Sequence, residues 1–353
     1  MGTVPNDDRR YEVPNDDSWY ELGEPEGRGW RAADTKRSTD RLPARAEGLV
    51  PDPVWNLSRQ SAGLYYRFRT DADEIAVRWT LPDGPLALAH TPASSASGLD
   101  LYAEDDHGRL RWASWAAPEA VGATTDKVLL TGIRSMDRPR EYRLYLPLRN
   151  QPADVAVGVP ASARLEILPA DPTPPIVYYG TSIVHGAAAS RAGMAMPAQL
   201  GRRLDRPVIA LGFSGQARME IELAELYAEL DPAIYVIDCL PNMTVEQVAE
   251  RAESFVRRLR RDRPSTPILL IEDRTFANAW IRTGVLENHR ARRAELATAY
   301  RTLRAEGDGN LHYLSHDHLL GDDDEGTVDG SHPSDLGFTR MVDILEPVLR
   351  ALL

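Results

Sequence analysis

Cysteine is nearly absent. Cys239 is the only one, so the chain closes no internal disulfide and builds no thiolate metal cluster. Lysine is almost as rare: Lys36 and Lys127 stand alone, and arginine carries nearly all the positive charge. Nor is that charge in excess, because 41 Lys+Arg against 53 Asp+Glu leave a net charge of −12. Binding to nucleic acid or to an anionic membrane needs a basic face, so neither partner is expected. No apolar run approaches the roughly 18 residues that cross a bilayer. The opening Met1-Gly-Thr-Val-Pro-Asn-Asp-Asp has neither the basic nor the apolar region of a secretory signal. The expectation is a cytoplasmic protein. What is present is 353 residues, 42% hydrophobic and 27% charged, which suits two ordinary soluble domains.

Residues 1 to about 45 are polar and irregular, and read as an arm laid over the first domain with room for one edge strand. From about 55 to 168 the larger apolar residues alternate, as in Ile75-Ala-Val-Arg-Trp79, Leu99-Asp-Leu101, Leu110-Arg-Trp112 and Tyr142-Arg-Leu144-Tyr-Leu146. Alternation over short runs separated by Gly, Pro and Asp clusters predicts strands, and their succession without helices predicts a β-sandwich or jelly roll. Pro169-Ala-Asp-Pro-Thr-Pro-Pro175 cannot continue a ladder and marks a boundary. Two domains follow from this reading: residues 1–170 as arm and sandwich, and residues 171–353 as an α/β unit. In the second, the apolar runs 176–179, 208–211, 234–237 and 268–271 alternate with helical spacing near 194–204, 217–230, 244–261, 285–306 and 335–352. Such alternation predicts a doubly wound parallel sheet.

In that architecture function sits at the carboxyl ends of the strands. The residues there are Gly180-Thr-Ser182 after the first strand, Gly212-Phe-Ser-Gly215 after the second and Asp238-Cys-Leu-Pro-Asn242 after the third. Asp329-Gly-Ser-His332 precedes the last helix. A serine nucleophile needs a base, a group that orients the base, and donors for the developing oxyanion. Ser182, His332 and Asp329 are the candidates for the first three roles. The backbone N–H groups of Ser182 and Gly215, with the Asn242 amide, are the candidates for the donors.

These four blocks resemble those of the SGNH (GDSL) hydrolase superfamily. The resemblance covers about 172–353 and implies a flavodoxin-like sheet, a Ser182–His332–Asp329 triad and an oxyanion hole of Ser182, Gly215 and Asn242. The phrases Tyr179-Gly-Thr-Ser-Ile-Val-His-Gly186 and Asp329-Gly-Ser-His-Pro-Ser-Asp-Leu-Gly-Phe338 look like a subfamily with an N-terminal β-sandwich, a layout similar to that of two-domain carbohydrate esterases. Two departures stand out. Thr181 replaces the aspartate usual beside the nucleophile, and Leu240-Pro241 stands where the third block usually has a glycine. The resemblance implies a serine esterase acting on a small-molecule ester without a cofactor. Its alternatives are an acyltransferase that uses the same triad on an alcohol acceptor, and a binding protein that keeps only the fold.

Other residues read more plainly. Thr181 and His185, near the nucleophile, are expected to support it rather than react. His312, His316 and His318 with the acidic run 321–325 lack the spacing of a metal site, and no metal is expected. Arg191 and Arg218 fall near strand ends and read as surface arginines. Trp79, Trp112 and Trp115 are the aromatic candidates for a sugar platform on the sandwich, although alternation turns Trp79 and Trp112 inward. Spacing alone fixes neither the acyl group nor the oligomeric state.

Overall fold

The computed structural model describes residues 17–353, and the start of the arm, including the stretch read for a signal, lies outside them. The first domain is a sandwich of two antiparallel sheets. Its strands are β1 (Asp17–Glu21), β2 (Tyr65–Thr70), β3 (Ile75–Thr80), β4 (Leu99–Glu104) and β5 (Leu110–Ala116), followed by β6 (Thr124–Leu130), β7 (Arg140–Tyr145), β8 (Ala153–Pro160) and β9 (Leu165–Ile167). One sheet runs β1-β8-β3-β6 and the other β5-β4-β7-β2-β9. Alternation works as the sequence predicts: Phe68, Leu99, Leu101, Tyr142 and Leu144 from one sheet meet Val77, Trp79 and Val157 from the other in one core.

The opposite face of the five-stranded sheet is covered at its centre. Tyr65, Tyr102 and Tyr145 point away from the sandwich core and are buried with Ile176, Tyr178 and Met196 of the second domain. Fully burying a large apolar side chain stabilises by about 1.5–3 kcal/mol, so this tyrosine row is a firm seam between the domains. Arg202 lies 3.9 Å over the Tyr102 ring and donates to the Tyr145 hydroxyl at 3.1 Å.

The second domain carries the parallel strands β10 (Ile176–Gly180), β11 (Val208–Gly212), β12 (Ile234–Asp238), β13 (Ile268–Ile271) and β14 (Leu311–Leu314) in the order β11-β10-β12-β13-β14. This is the flavodoxin-like order, with β10 at the point where the winding reverses. Alternate residues of each strand face opposite layers of helices. Val177, Tyr179, Leu211 and Ile237 pack with residues of the helices Ile221–Ala228, Val245–Asp262 and Val285–Ala305. Tyr178, Val236 and Leu269 pack with Leu200, Phe338, Met341 and Leu345, which come from the helices Met196–Leu204 and Asp335–Leu352. Among the described residues no helix is long and apolar enough to cross a membrane.

Two expectations are corrected. The arm follows the first domain as far as Glu26, which bridges to Tyr65 on β2: beyond it Trp30 and Leu42, and then Val50, Val54 and Trp55, are buried in the core of the second domain, and residues 52–58 form a helix. Arg41 pins it there, donating to the carbonyls of Ala210 and Gly212 on β11 at 3.1 and 2.8 Å. Trp112 does not turn inward but is half exposed, at 50%. The cause is a shift in register. Leu101 pairs with Ser114 but Tyr102 with Trp112, so Ala113 is an extra residue that flips the alternation of β5.

Candidate active site

Ser182 is separated by Thr181 alone from the end of β10, the strand at which the sheet's winding reverses. It opens a helix of a single turn, Ser182–His185, too short to carry much of the dipole that a strand-to-helix turn suggests. Thr181 caps that turn by accepting from the Ile183 N–H at 3.5 Å and is itself buried. Where this block usually has an aspartate, the chain therefore has a neutral cap beside Ser182. A Cβ on Gly212 would collide with the backbone of Val184 and His185, so only glycine lets β11 pass this close behind the turn.

The loop before the last helix folds on its own aspartate. Oδ1 of Asp329 accepts the N–H groups of Ser331 and His332 at 2.9 and 2.8 Å, and Oδ2 accepts His332 Nδ1–H at 2.7 Å. With Nδ1–H donated, Nε2 of His332 is left as an acceptor, and it lies 2.8 Å from Ser182 Oγ. Burial by itself would raise the Asp329 pKa. The hydrogen bonds from His332 and Ser331, with the His332 charge, outweigh it and hold the carboxyl down to about 2. The three candidate triad residues, two from one loop and the third 150 positions before His332, thus form one hydrogen-bonded chain.

Gly215 adopts a left-handed backbone (φ +71°) on the loop after β11, and nothing crowds the position where a Cβ would stand. The Asn242 amide donates to the carbonyl of Gln216, next to Gly215, which brings the second and third blocks together. Asn242 does not cap the following helix, because Thr244 does so with a full capping box to Gln247. His185 is completely buried: its Nε2–H donates to the Leu148 carbonyl at 2.9 Å, and Nδ1 faces the Ser214 hydroxyl at 3.3 Å. Burial pushes its pKa well down, and the charges of Arg149 and Arg41 add to that, so the ring is neutral.

Comparisons with known proteins show the family and the fold. A family model described as the GDSL-like lipase/acylhydrolase family matches residues 173–350, and a model of the N-terminus of SGNH-hydrolase-type esterases matches residues 18–165. The chain belongs to the GDSL-like lipase/acylhydrolase family. A solved structure from Bacteroides ovatus, described as a GDSL-like lipase, is 33% identical over 95% of this chain and 98% of its own, with a TM-score of 0.89. A salicylyl-acyltransferase from a tetracycline biosynthetic pathway, SsfX3, shares the fold at 20% identity over 96% of this chain and 98% of its own (TM-score 0.76). A family two carbohydrate esterase from Clostridium thermocellum shares it at 13% identity over 82% and 92% (TM-score 0.57). No curated protein matches the chain at a significant level.

The second family model carries the name GxDLY, and this GDSL-family chain reads Gly98-Leu-Asp-Leu-Tyr102. Sequence reading takes the run as an ordinary alternating strand and sees no site in it. In the structure the inward leucines do join the sandwich core, while Asp100 and Tyr102 on the other face hold the second domain. Asp100, wholly buried, accepts the Gly193 N–H at 2.7 Å and Arg191 Nη1 at 3.0 Å, and the Tyr102 hydroxyl accepts Arg191 Nη1 at 2.6 Å. A Cβ on Gly193 would collide with the Tyr102 ring, so glycine is required for this contact. Arg191 is therefore no surface arginine, whereas Arg218 turns to the Gly215 carbonyl at 3.2 Å. Trp112 also belongs to this clasp, donating its indole N–H to Asp100 at 3.2 Å.

His90 is missed by the sequence altogether. It lies in a tight turn of the sandwich domain, bridged between Leu88 and Thr91, and stacks on His332 with ring centroids 5.0 Å apart. Nothing local distinguishes this histidine; only the docking of the two domains brings it to the triad. Among the described residues no group of His, Cys, Asp or Glu has the arrangement of a metal site. Cys239 is buried, and burial raises its thiol pKa well above the usual range, which makes it inert packing.

Proposed function

We infer that this chain is a serine esterase that cleaves an O-acyl ester of a small molecule through an acyl-enzyme on Ser182. The observation that carries the reading is the chain Ser182 Oγ–His332 Nε2–His332 Nδ1–Asp329 Oδ2, with links of 2.8 and 2.7 Å. In the first step Ser182 Oγ attacks the acyl carbon as His332 Nε2 takes its proton. Asp329 steadies the resulting imidazolium without taking the proton itself. Electrons pushed onto the carbonyl oxygen are met by the N–H groups of Ser182 and Gly215 and by the Asn242 amide. Collapse breaks the ester bond, and His332 returns the proton to the leaving alcohol. Water then repeats the sequence on the acyl-enzyme and frees the acid.

The second N–H of the Asn242 amide is the one available to an oxyanion, since the first goes to Gln216. Asn242→Ala is expected to lower kcat by roughly 10²- to 10³-fold, with a smaller change in KM. Steady-state kinetics check this, and a loss under threefold removes Asn242 from the hole.

A general base of this kind must be neutral, so kcat/KM falls on the acid side, over the range in which an imidazole takes up a proton. Asp329, held at about 2, keeps its charge throughout that range. The acid limb is therefore expected to follow one proton, tenfold per pH unit. A profile flat down to pH 5, or one with a two-proton slope, contradicts the assignment.

Acyl transfer is the rival at the second step, where an alcohol replaces water. The likeness in fold to a salicylyl-acyltransferase supports keeping it in view. Incubation with an activated ester and candidate alcohols separates the two by product: free acid makes the chain an esterase, and transferred ester in excess makes it a transferase. A fluorophosphonate is expected to label Ser182 stoichiometrically. Absence of labelling would favour a binding protein that keeps only the fold.

A further inference from the structure

Arg149 comes from the sandwich domain and crosses to the loop after β11. Its Nη1 donates to Ser214 Oγ at 2.7 Å, and Ser214 directly precedes Gly215, a candidate oxyanion donor. Among the described residues this is the only hydrogen bond of its guanidinium, and Nε is enclosed with no partner at all.

Two other arginines drawn from water between the domains, Arg41 and Arg191, are compensated. Arg41 gives its protons to the carbonyls of Leu57, Gln60, Ala210 and Gly212, and Arg191 is held by Asp100. Arg149 has one hydroxyl in their place. Burial alone lowers its pKa, to about 10, with no neighbouring carboxylate to raise it, so the group stays charged at neutral pH. Its charge is felt beside the triad: burial and then His332 depress the pKa of His90, the ring stacked on His332, Asp329 opposes them, and Arg149 adds a smaller depression.

A half-buried cation without an anion is unfavourable, and at the edge of a reaction centre the missing anion is supplied by the substrate. Resting on the esterase reading above, we propose that Arg149 is an anion subsite, and that the esters this chain prefers carry a carboxylate within a few atoms of the scissile carbonyl. A guanidinium suits a carboxylate by shape and by charge-assisted hydrogen bonding. Arg149 is a specificity residue in this account and takes no part in proton transfer.

The test uses matched pairs of esters on the full chain. Monomethyl against dimethyl succinate places the charge on the acyl side. 4-Acetoxybenzoate against its methyl ester places it on the leaving-group side. The wild type is expected to favour the anionic member of one pair, and that pair identifies the side. In Arg149→Met the anionic-to-neutral ratio of kcat/KM should fall by roughly 10- to 100-fold, the scale of one charge-assisted hydrogen bond. Arg149→Lys should keep part of the preference and guards against a variant that fails to fold. If Arg149 only braces the Ser214 loop, both members of a pair slow together and the ratio does not move, which overturns the subsite. The neutral esters report the serine chemistry separately. Their Ser182-independent turnover, or none from any ester, would overturn the esterase reading and the subsite with it.

Discussion

Ser182→Ala is expected to lower kcat on p-nitrophenyl acetate by roughly 10⁴- to 10⁶-fold. Ser182 is 9% exposed and its hydroxyl meets His332, so removing one oxygen deletes the nucleophile and little else. The residual rate has a definite source: the oxyanion donors and the binding surface remain and still accelerate attack by water. His332→Ala should cost a similar factor, because without a base at 2.8 Å the serine proton has nowhere to go. The double variant should be scarcely slower than either single one, since the two residues act as a unit. Unchanged thermal unfolding would exclude a folding defect. Retention of more than a tenth of the activity in Ser182→Ala would mean that the nucleophile lies elsewhere.

Asp329→Asn carries the second largest expected effect, a fall in kcat of about 10⁴-fold. Two backbone N–H groups, of Ser331 and His332, point at Oδ1 and require an oxygen there. Asparagine can supply it, so the loop keeps its fold. The amide NH₂ must then face His332 Nδ1, where the carboxylate oxygen stood. A donor in that place makes Nδ1 the acceptor and moves the ring proton to Nε2, the atom that has to receive the serine proton. The variant thus keeps the geometry and inverts the tautomer. Asp329→Ala removes the loop's anchor as well and should lose stability in addition. Kinetics with the same ester beside a melting curve separate the two effects, and a loss under tenfold in Asp329→Asn would deny Asp329 its orienting role.

The candidate triad was legible because each of its residues belongs to a short local phrase, at a strand end or in the loop before the last helix. Asp329 and His332 share one self-closing turn, and Ser182 adjoins an apolar strand that only a buried parallel sheet explains. Periodicity also gave the flavodoxin-like order's ingredients, since alternate residues of β10 feed the two helical layers. What failed depended on distance or on a single inserted residue. Ala113 turned Trp112 outward, and no pattern announces a bulge. Trp30 looked like part of an arm on the nearest domain, whereas the apolar surface it covers lies on the other. His90, Arg149 and the Asp100–Arg191 clasp owe their places to the way two domains meet. Hydrophobic spacing encodes the face each domain buries, and it leaves unstated which polar residues that docking delivers to the triad.

The most direct measurement is to trap the intermediate. Wild-type protein mixed with excess p-nitrophenyl acetate, quenched in acid and digested, should show one acetyl group on the peptide that contains Ser182. Ser182→Ala should show none. Acetyl-enzyme confined to Ser182 and formed as fast as p-nitrophenol is released is the result this account predicts. Turnover with no acyl-enzyme, or with the acetyl group on another residue, would contradict it.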